Sequence, residues 1–226
     1  MNFGGFQKLT VLDFPEHVSC IVFTKGCNFR CPFCHNAALV KGNGEESYTE
    51  EEILSYLNKR KNILDGVVIS GGEPLMHKDI KDFCVKVKAL GYDIKLDTNG
   101  SYPDKIIELV SEGLVDYVAM DVKNSFEKYE LTSGAKVNLE DIKKSISFLL
   151  EGRVSYEFRT TVVSQFHTPQ DIVEISKNIV GAKKYFLQNF LDSGNILGEN
   201  LSPVTKEKLD EMAVLAGENL SCVAIR

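Results

Sequence analysis

Three cysteines, Cys27, Cys31 and Cys34, stand in a C-x3-C-x2-C spacing within one short stretch, with aromatic Phe33 just before the third. Three thiolates on one loop can hold three irons of a cubane cluster and leave the fourth iron free of protein ligands. An iron with an open position can bind and activate a small molecule. A structural zinc ion would need a fourth ligand to close its tetrahedron, and His35, directly after Cys34, is poorly placed to supply it. Buried bystander thiols are the remaining reading, because free cysteine packs like a small hydrophobe. Cys20, Cys84 and Cys222 lie scattered in apolar contexts and are expected to be buried structural thiols, with no second cysteine cluster for an auxiliary centre.

A chain of 226 residues, 43% of them hydrophobic, is long enough to bury a real core and suits one globular domain. No run is long and apolar enough to span a bilayer. The start, Met1 to Gly5, lacks the basic-then-apolar pattern of a secretion signal. A formal net charge of −6 argues against a nucleic-acid surface, which wants a basic stripe. The expectation is a cytoplasmic protein with neither nucleic acid nor membrane as partner.

The elements that must position the cysteines follow from apolar periodicity. The β-branched run Val18 to Phe23 reads as a buried strand ending at the cysteine loop. A polar, glycine-containing connection covers 37–48. Thr49 to Glu52 is a capping box opening a helix with Ile53, Leu54, Leu57 and Leu64 at helical spacing. Strands are expected at 66–70, 92–96, 115–120, 154–163 and 185–190. Helices are expected at 78–90, 103–112, 139–151, from Thr168-Pro169 to Gly181, and at 205–216, with a last short strand at 220–225. Six strands regularly separated by helices imply an α/β fold with a parallel sheet and right-handed crossovers. The chain is short for an eight-fold barrel. It suits a partial (β/α)6 TIM-like barrel, laterally open, with a flat doubly wound sheet as the other arrangement. Residues 1–226 read as one domain: a lead-in at 1–17, six βα units at 18–190, and a C-terminal helix and short strand at 191–226.

Ligand sites in such folds lie at the C-terminal ends of the strands, and here every strand end is polar. Gly71-Gly72-Glu73-Pro74 offers close backbone approach and a carboxylate, or is an ordinary turn. Asp97-Thr98-Asn99-Gly100 offers oxygen ligands for a hard cation, or is a turn and helix cap. Asp121 and Lys123 alternate, so both can point to one side, or they form a surface ion pair. Arg159 places a charge inside a buried strand and needs a partner, with Glu157 or a helix carboxylate as candidates. Gln188-Asn189 closes the last of the six. His17, His77 and His167 read as loop or cap residues without a catalytic role.

Cys27, Cys31, Phe33 and Cys34 match the C-x3-C-x-aromatic-C signature of radical S-adenosylmethionine (SAM) enzymes, and Cys34-His35-Asn36 resembles the form in glycyl-radical-enzyme activases. The longer run from Gly5-Phe6-Gln7-Lys8-Leu9-Thr10 through Asp13-Phe14-Pro15 to Asn36 resembles activating proteins of anaerobic ribonucleoside-triphosphate reductase, in the short form without a ferredoxin-like insert. The likeness extends over nearly the whole chain. It implies a [4Fe-4S] cluster on Cys27, Cys31 and Cys34 whose free iron binds the amino and carboxylate groups of SAM. Reductive cleavage then gives methionine and a 5′-deoxyadenosyl radical, which takes hydrogen from a glycine of the reductase. No general base is required. The resemblance assigns the methionyl amino group to Gly71, Gly72 and Glu73, with Glu73 ordering the loop. It assigns SAM and its ribose to Asp121 and Lys123, the SAM carboxylate to Arg159, and a monovalent cation to Asp97, Thr98 and Asp121. Phe33 would pack on adenine, and Asn36 would hold adenine or an incoming peptide. Formate-lyase activase has a histidine near adenine after its last barrel strand. This chain has Gln188-Asn189-Phe190-Leu191 there, so Asn189 or backbone would make that contact.

A lateral opening and no added domain to close over a small molecule agree with a protein substrate. A flavodoxin or ferredoxin would deliver the electron, in an anaerobic cytoplasm. Three other functions fit the same residues less fully: activation of a formate-lyase-like partner, a small-molecule reaction like that of 7-carboxy-7-deazaguanine synthase, and a non-catalytic iron–sulfur electron carrier.

Overall fold

The computed structural model describes residues 1–41, 47–192 and 194–226. In chain order the elements are β1 (Asn2–Thr10), β2 (Ser19–Thr24), α1 (Ala37–Lys41), β3 (Tyr48–Thr49), α2 (Glu50–Asn58), β4 (Gly66–Gly71), α3 (Ile80–Ala89), β5 (Asp93–Thr98) and α4 (Pro103–Ser111). They continue with β6 (Tyr117–Asp121), α5 (Tyr129–Ser133), α6 (Leu139–Leu150), β7 (Ser155–Val162), α7 (Pro169–Asn178), β8 (Tyr185–Asn189), α8 (Lys206–Gly217) and β9 (Val223–Ile225).

One sheet runs β3-β1-β2-β4-β5-β6-β7-β8-β9. From β2 to β9 every neighbour is parallel, and each crossover carries a helix of eight or more residues, as the alternation of apolar runs requires. The end strands β3 and β9 do not pair, so the sheet stays open rather than closing into a barrel. This is the expected partial-barrel class.

Strand alternation divides the core in two. Cys20, Val22, Val67, Ile69, Ile94, Leu96, Val118, Met120 and Phe158 face the helices and pack with Ile53, Phe83, Ile106, Ile142 and Ile172. On the other face a small cluster of Phe14, Ile21, Val68 and Tyr117 joins the lower ends of the strands. Above it the same face carries polar and charged side chains, and these become the site.

The expected capping box is present. Thr49 Oγ1 accepts from the Glu52 N–H at 3.2 Å, and the Glu52 carboxylate accepts from the Thr49 N–H at 2.7 Å. Thr168 and Asp171 form a second box around Pro169, which stands at the start of α7.

Four features differ from the sequence reading. The lead-in carries β1, which pairs antiparallel with β2 along its length. Of the connection read at 37–48, Ala37–Lys41 is helical, whereas 42–46 lies outside the described residues. A short helix, α5, precedes α6. Cys222 is exposed rather than buried; Cys20 and Cys84 are fully buried as expected. Cys222 lies just outside β9, at the end of the sheet where no further element covers it.

Among the described residues no helix is long and apolar enough to cross a membrane.

Candidate functional site

The upper ends of β2 and β4 to β8 surround a cavity of about 380 Å³, within the size range of small-molecule sites. Cys27, Cys31 and Cys34 line it together with Phe33, Asn36, Gly71, Gly72, Asp97, Thr98, Asp121, Lys123 and Arg159. The structure therefore brings most of the residues singled out in the sequence to one place.

The cysteine loop follows β2 and is held from three sides. Arg30 N–H donates to Ser133 O of α5 at 2.8 Å, and the Arg30 guanidinium bonds to the carbonyls of Cys27 and Phe29. Asn36 Nδ2 donates to Gly71 O at 3.0 Å. From β4, Gly72 N–H reaches Thr24 O at 3.0 Å and Glu73 N–H reaches Gly26 O at 2.9 Å. The glycine pair is thus required by close approach. Gly71 has φ +113°, and a Cβ on Gly72 would collide with the Gly26 carbonyl. Gly72→Ala is expected to destabilise the protein by about 1–3 kcal/mol, as overpacking does, and to loosen the cysteine loop. Urea unfolding measures the first effect, and iron retained after gel filtration measures the second.

Glu73 is fully buried and does not line the cavity. Its oxygens accept from Leu75 N–H at 3.1 Å, Thr98 Oγ1 at 2.9 Å and Asn99 N–H at 2.7 Å. Burial pushes its pKa up to about 7, against the pull of these donors. Glu73 clasps the β4 loop to the β5 loop, which is the ordering role expected of it.

On the open face of the sheet, charges interlock. Asp121 and Arg159 stand opposite each other in the β6–β7 register. Arg159 Nε lies 2.9 Å from Asp121 Oδ1, and its Nη1 lies 3.5 Å from Asp97 Oδ1. Lys123 Nζ lies 3.0 Å from Asp121 Oδ2, and Lys95 Nζ lies 2.6 Å from Asp97 Oδ1. Burial alone would raise the Asp121 pKa, yet the Arg159 and Lys123 cations hold it at about 2. Asp97 is lowered by the same balance, with Arg159 and Lys95 as its cations.

Arg159 pairs with neither Glu157 nor a helix carboxylate. Glu157 instead binds Tyr117 Oη at 2.9 Å and the Arg226 fork at 2.8 and 3.1 Å. Of these groups Arg159 and Lys123 line the cavity, whereas Lys95 is buried and does not, and a third carboxylate, Asp13, lines it as well; the lining thus offers two cations that can meet an anionic group among three carboxylates. The residues expected to hold a monovalent cation all have protein partners here. Asp97 and Asp121 are already bound to Lys95, Arg159 and Lys123, and the Thr98 hydroxyl is spent on Glu73 and Gly100 N–H. Asp97, Thr98 and Asp121 stand together on the cavity lining, each engaged by these neighbours.

Asn189, named for adenine, does not line the cavity. Its amide pairs with Val204, donating to the carbonyl at 2.9 Å and accepting from the N–H at 3.1 Å. Gln188 faces the cavity in its place, as alternation along β8 dictates. Sequence reading assigned no role to Ser70 or Thr161 and took Asn99 only as part of the Asp97-to-Gly100 stretch, though all three line the cavity. It missed buried His167 as well, whose Nδ1 accepts from Val163 N–H at 3.1 Å while Nε2 donates to Lys123 O at 2.9 Å. The strand-end rule could have found the first three. His167 acts only through backbone and leaves no motif.

The donor set fits an iron–sulfur cubane. Cys27, Cys31 and Cys34 share one cavity, and three thiolates are the protein ligands such a cluster needs while one iron stays open. Burial pushes the Cys27 and Cys31 thiols up to about 12 and about 11, so they become thiolates only with metal to hold. Tyr129 is wholly buried, with Lys123 and Cys31 among the neighbours of its hydroxyl.

A family model described as the radical SAM superfamily matches residues 21–179. A Methanocaldococcus jannaschii protein named "Putative glycyl-radical enzyme activating enzyme" is 34% identical over 231 residues, covering 99% of this chain and 95% of its own. The anaerobic ribonucleoside-triphosphate reductase-activating protein of Escherichia coli is 24% identical over 138 residues, covering 55% of this chain and 89% of its own. Among solved structures, a radical SAM methyltransferase from Sphaerobacter thermophilus superposes with a TM-score of 0.74 at 13% identity, covering 96% of this chain and 68% of that one. That likeness is one of fold.

Proposed function

The chain belongs to the radical SAM superfamily, and from that premise we propose that it activates a glycyl-radical enzyme, with anaerobic ribonucleoside-triphosphate reductase as its substrate. The observation that carries this reading is the cavity itself. Three cysteine thiols form one wall, and an interlocked charge network that presents Arg159 and Lys123 beside Asp97 and Asp121 forms another.

Cys27, Cys31 and Cys34 would hold the [4Fe-4S] cluster. Bound and reduced, such a cluster would supply the one electron needed to cleave SAM into methionine and a 5′-deoxyadenosyl radical, the species that would take a hydrogen atom from a glycine Cα. The chain's own residues bind and orient. Gly71 and Gly72 bring backbone to the methionyl amino group, with Glu73 fixing their loop from behind. Arg159 and Lys123 supply positive charge for the carboxylate and ribose, and Asp121 aims both cations. Phe33, 4% exposed, gives an apolar wall for adenine. Gln188 is the polar side chain of the last strand end on the cavity. The mechanism asks no proton transfer of the protein.

The open sheet supports a macromolecular substrate, because the unpaired β3 and β9 ends leave a side by which a peptide loop can enter. The full-length relative supports an activase, and the partial likeness to the reductase-activating protein supports the choice of partner. The electron would come from a flavodoxin or ferredoxin in an anaerobic cytoplasm.

The test is electron paramagnetic resonance (EPR) of reconstituted protein mixed with SAM, a reductant and the anaerobic reductase of the same organism. A glycyl-radical doublet is expected. SAM cleavage without a doublet would retire the reductase as partner and send the search to formate-lyase-like proteins. No cleavage by reduced, fully loaded protein would retire the catalytic reading.

A further inference from the structure

Asn99 follows directly on β5. Its side chain is buried, at 6% exposure, and belongs to a closed ring of hydrogen bonds beside Cys27. Ser101 donates to Asn99 Oδ1 twice, from its backbone N–H at 3.0 Å and from Oγ at 2.6 Å. Asn99 Nδ2 donates to Asn28 Oδ1 at 2.9 Å, and Asn28 Nδ2 donates back to Ser101 Oγ at 2.9 Å.

The direction of this ring is fixed. A backbone N–H can only donate, so the oxygen of Asn99 must face Ser101 and its nitrogen must face the cysteine loop. The Ser101 hydroxyl gives its one proton to Asn99 and must accept from Asn28, which turns the Asn28 oxygen toward Asn99. One N–H of Asn99 is then used on Asn28. The amide nitrogen lies 3.9 Å from Cys27 Sγ, so the other is available to the sulfur. A second donor, the Phe29 N–H, lies 3.3 Å from the same sulfur.

We propose that Asn99 is a positioning residue for the electron: its amide, locked by Ser101 and Asn28, donates to the Cys27 thiolate and makes the cluster easier to reduce. The proposal rests on Cys27 being a cluster ligand. Reduction adds negative charge that spreads onto the ligand sulfurs, and a donor fixed on one of them stabilises the reduced form more than the oxidised form. The ring costs no reorganisation when the electron arrives, because each member is already held by the other two.

The test is an EPR-monitored redox titration of the reconstituted cluster without SAM, in wild type, Asn99→Asp and Ser101→Ala. Asn99→Asp keeps the shape and puts an oxygen where the N–H stood. At the wild-type midpoint its ratio of reduced to oxidised cluster should fall at least about tenfold, the scale of a hydrogen bond to a charged group. Ser101→Ala keeps the anchoring backbone N–H but frees the ring, and a fall of about two- to threefold is expected. Iron per chain should stay at the wild-type value in both. Two fully loaded variants that titrate like wild type would overturn the proposal and leave Asn99 as a loop tie. Should Asn99→Asp fail to fold, an unchanged ratio in Ser101→Ala would overturn it alone. Wild type that takes up no four-iron cluster would overturn the proposed function itself, a result visible before any titration.

Discussion

Cys31→Ala should leave a folded protein that cannot cleave SAM. Cys31 is 7% exposed and contributes to the core, so losing its sulfur costs about 1 kcal/mol, the lower end of large-to-small changes. Its carbonyl, which accepts from Cys34 N–H at 3.0 Å, is backbone and survives the change. The cluster loses one of three protein ligands. Loss of a group that merely supports a metal ligand already costs about 10–100-fold, so loss of the ligand itself should exceed that and abolish 5′-deoxyadenosine formation. Cys20→Ala and Cys84→Ala are the matched controls. Both thiols are fully buried among apolar residues on the helix-covered face. They should cost similar stability while leaving iron content and SAM cleavage unchanged. Iron and sulfide analysis, urea unfolding and product chromatography on the same four proteins separate the two roles. Wild-type cleavage by Cys31→Ala would remove the cysteine loop from the mechanism.

The site was more legible than the strand that borders it. The cysteine spacing, the glycine pair and the polar strand ends are local patterns, and local patterns survive in a linear reading. Parallel in-register strands then put these ends on one rim without further information. β1 was missed because Gly4, Gly5, Gln7 and Lys8 lack the β-branched, alternating character of a strand. It is ordered by pairing with β2 and β3 on its two sides, which no window of sequence contains. The five-residue helices α1 and α5 are too short to show a period. The partners of Arg159 were missed for another reason. They depend on the β6–β7 register, 38 residues apart at Asp121, and on which of several carboxylates that register brings opposite. Asn189 illustrates a limit of residue-by-residue carry-over from a family. The strand end is in the right place, but alternation turns Gln188 rather than Asn189 to the cavity.

Asp121→Asn is expected to destabilise the protein by about 3 kcal/mol at pH 7, the lower end of the range for stripping a buried ion pair of one partner. Asp121 is the one carboxylate that touches both Arg159 and Lys123. Removing its charge leaves Arg159 to share Asp97 with Lys95 and takes from Lys123 the carboxylate it pairs with. The lower end applies because the Asp121 side chain is still 30% exposed to the cavity and water can offset part of the loss. The pH dependence has a definite sign. The folded-state pKa of Asp121 is about 2, below its ordinary 3.8, so the native state holds its proton less tightly than the unfolded chain. The stability this contributes, about 2 kcal/mol, is fully present above pH 4 and is lost as pH falls through 2. In Asp121→Asn that share of the acid destabilisation should disappear, flattening the stability curve between pH 4 and 2. The same variant tests the role of the carboxylate in binding. Without Asp121, Lys123 and Arg159 are no longer aimed, so weaker SAM binding is expected despite the extra positive charge. Tighter binding would mean that net charge, rather than the fixed geometry of the two cations, governs the site. Urea unfolding from pH 2 to 7 and equilibrium dialysis of SAM give both answers on one preparation.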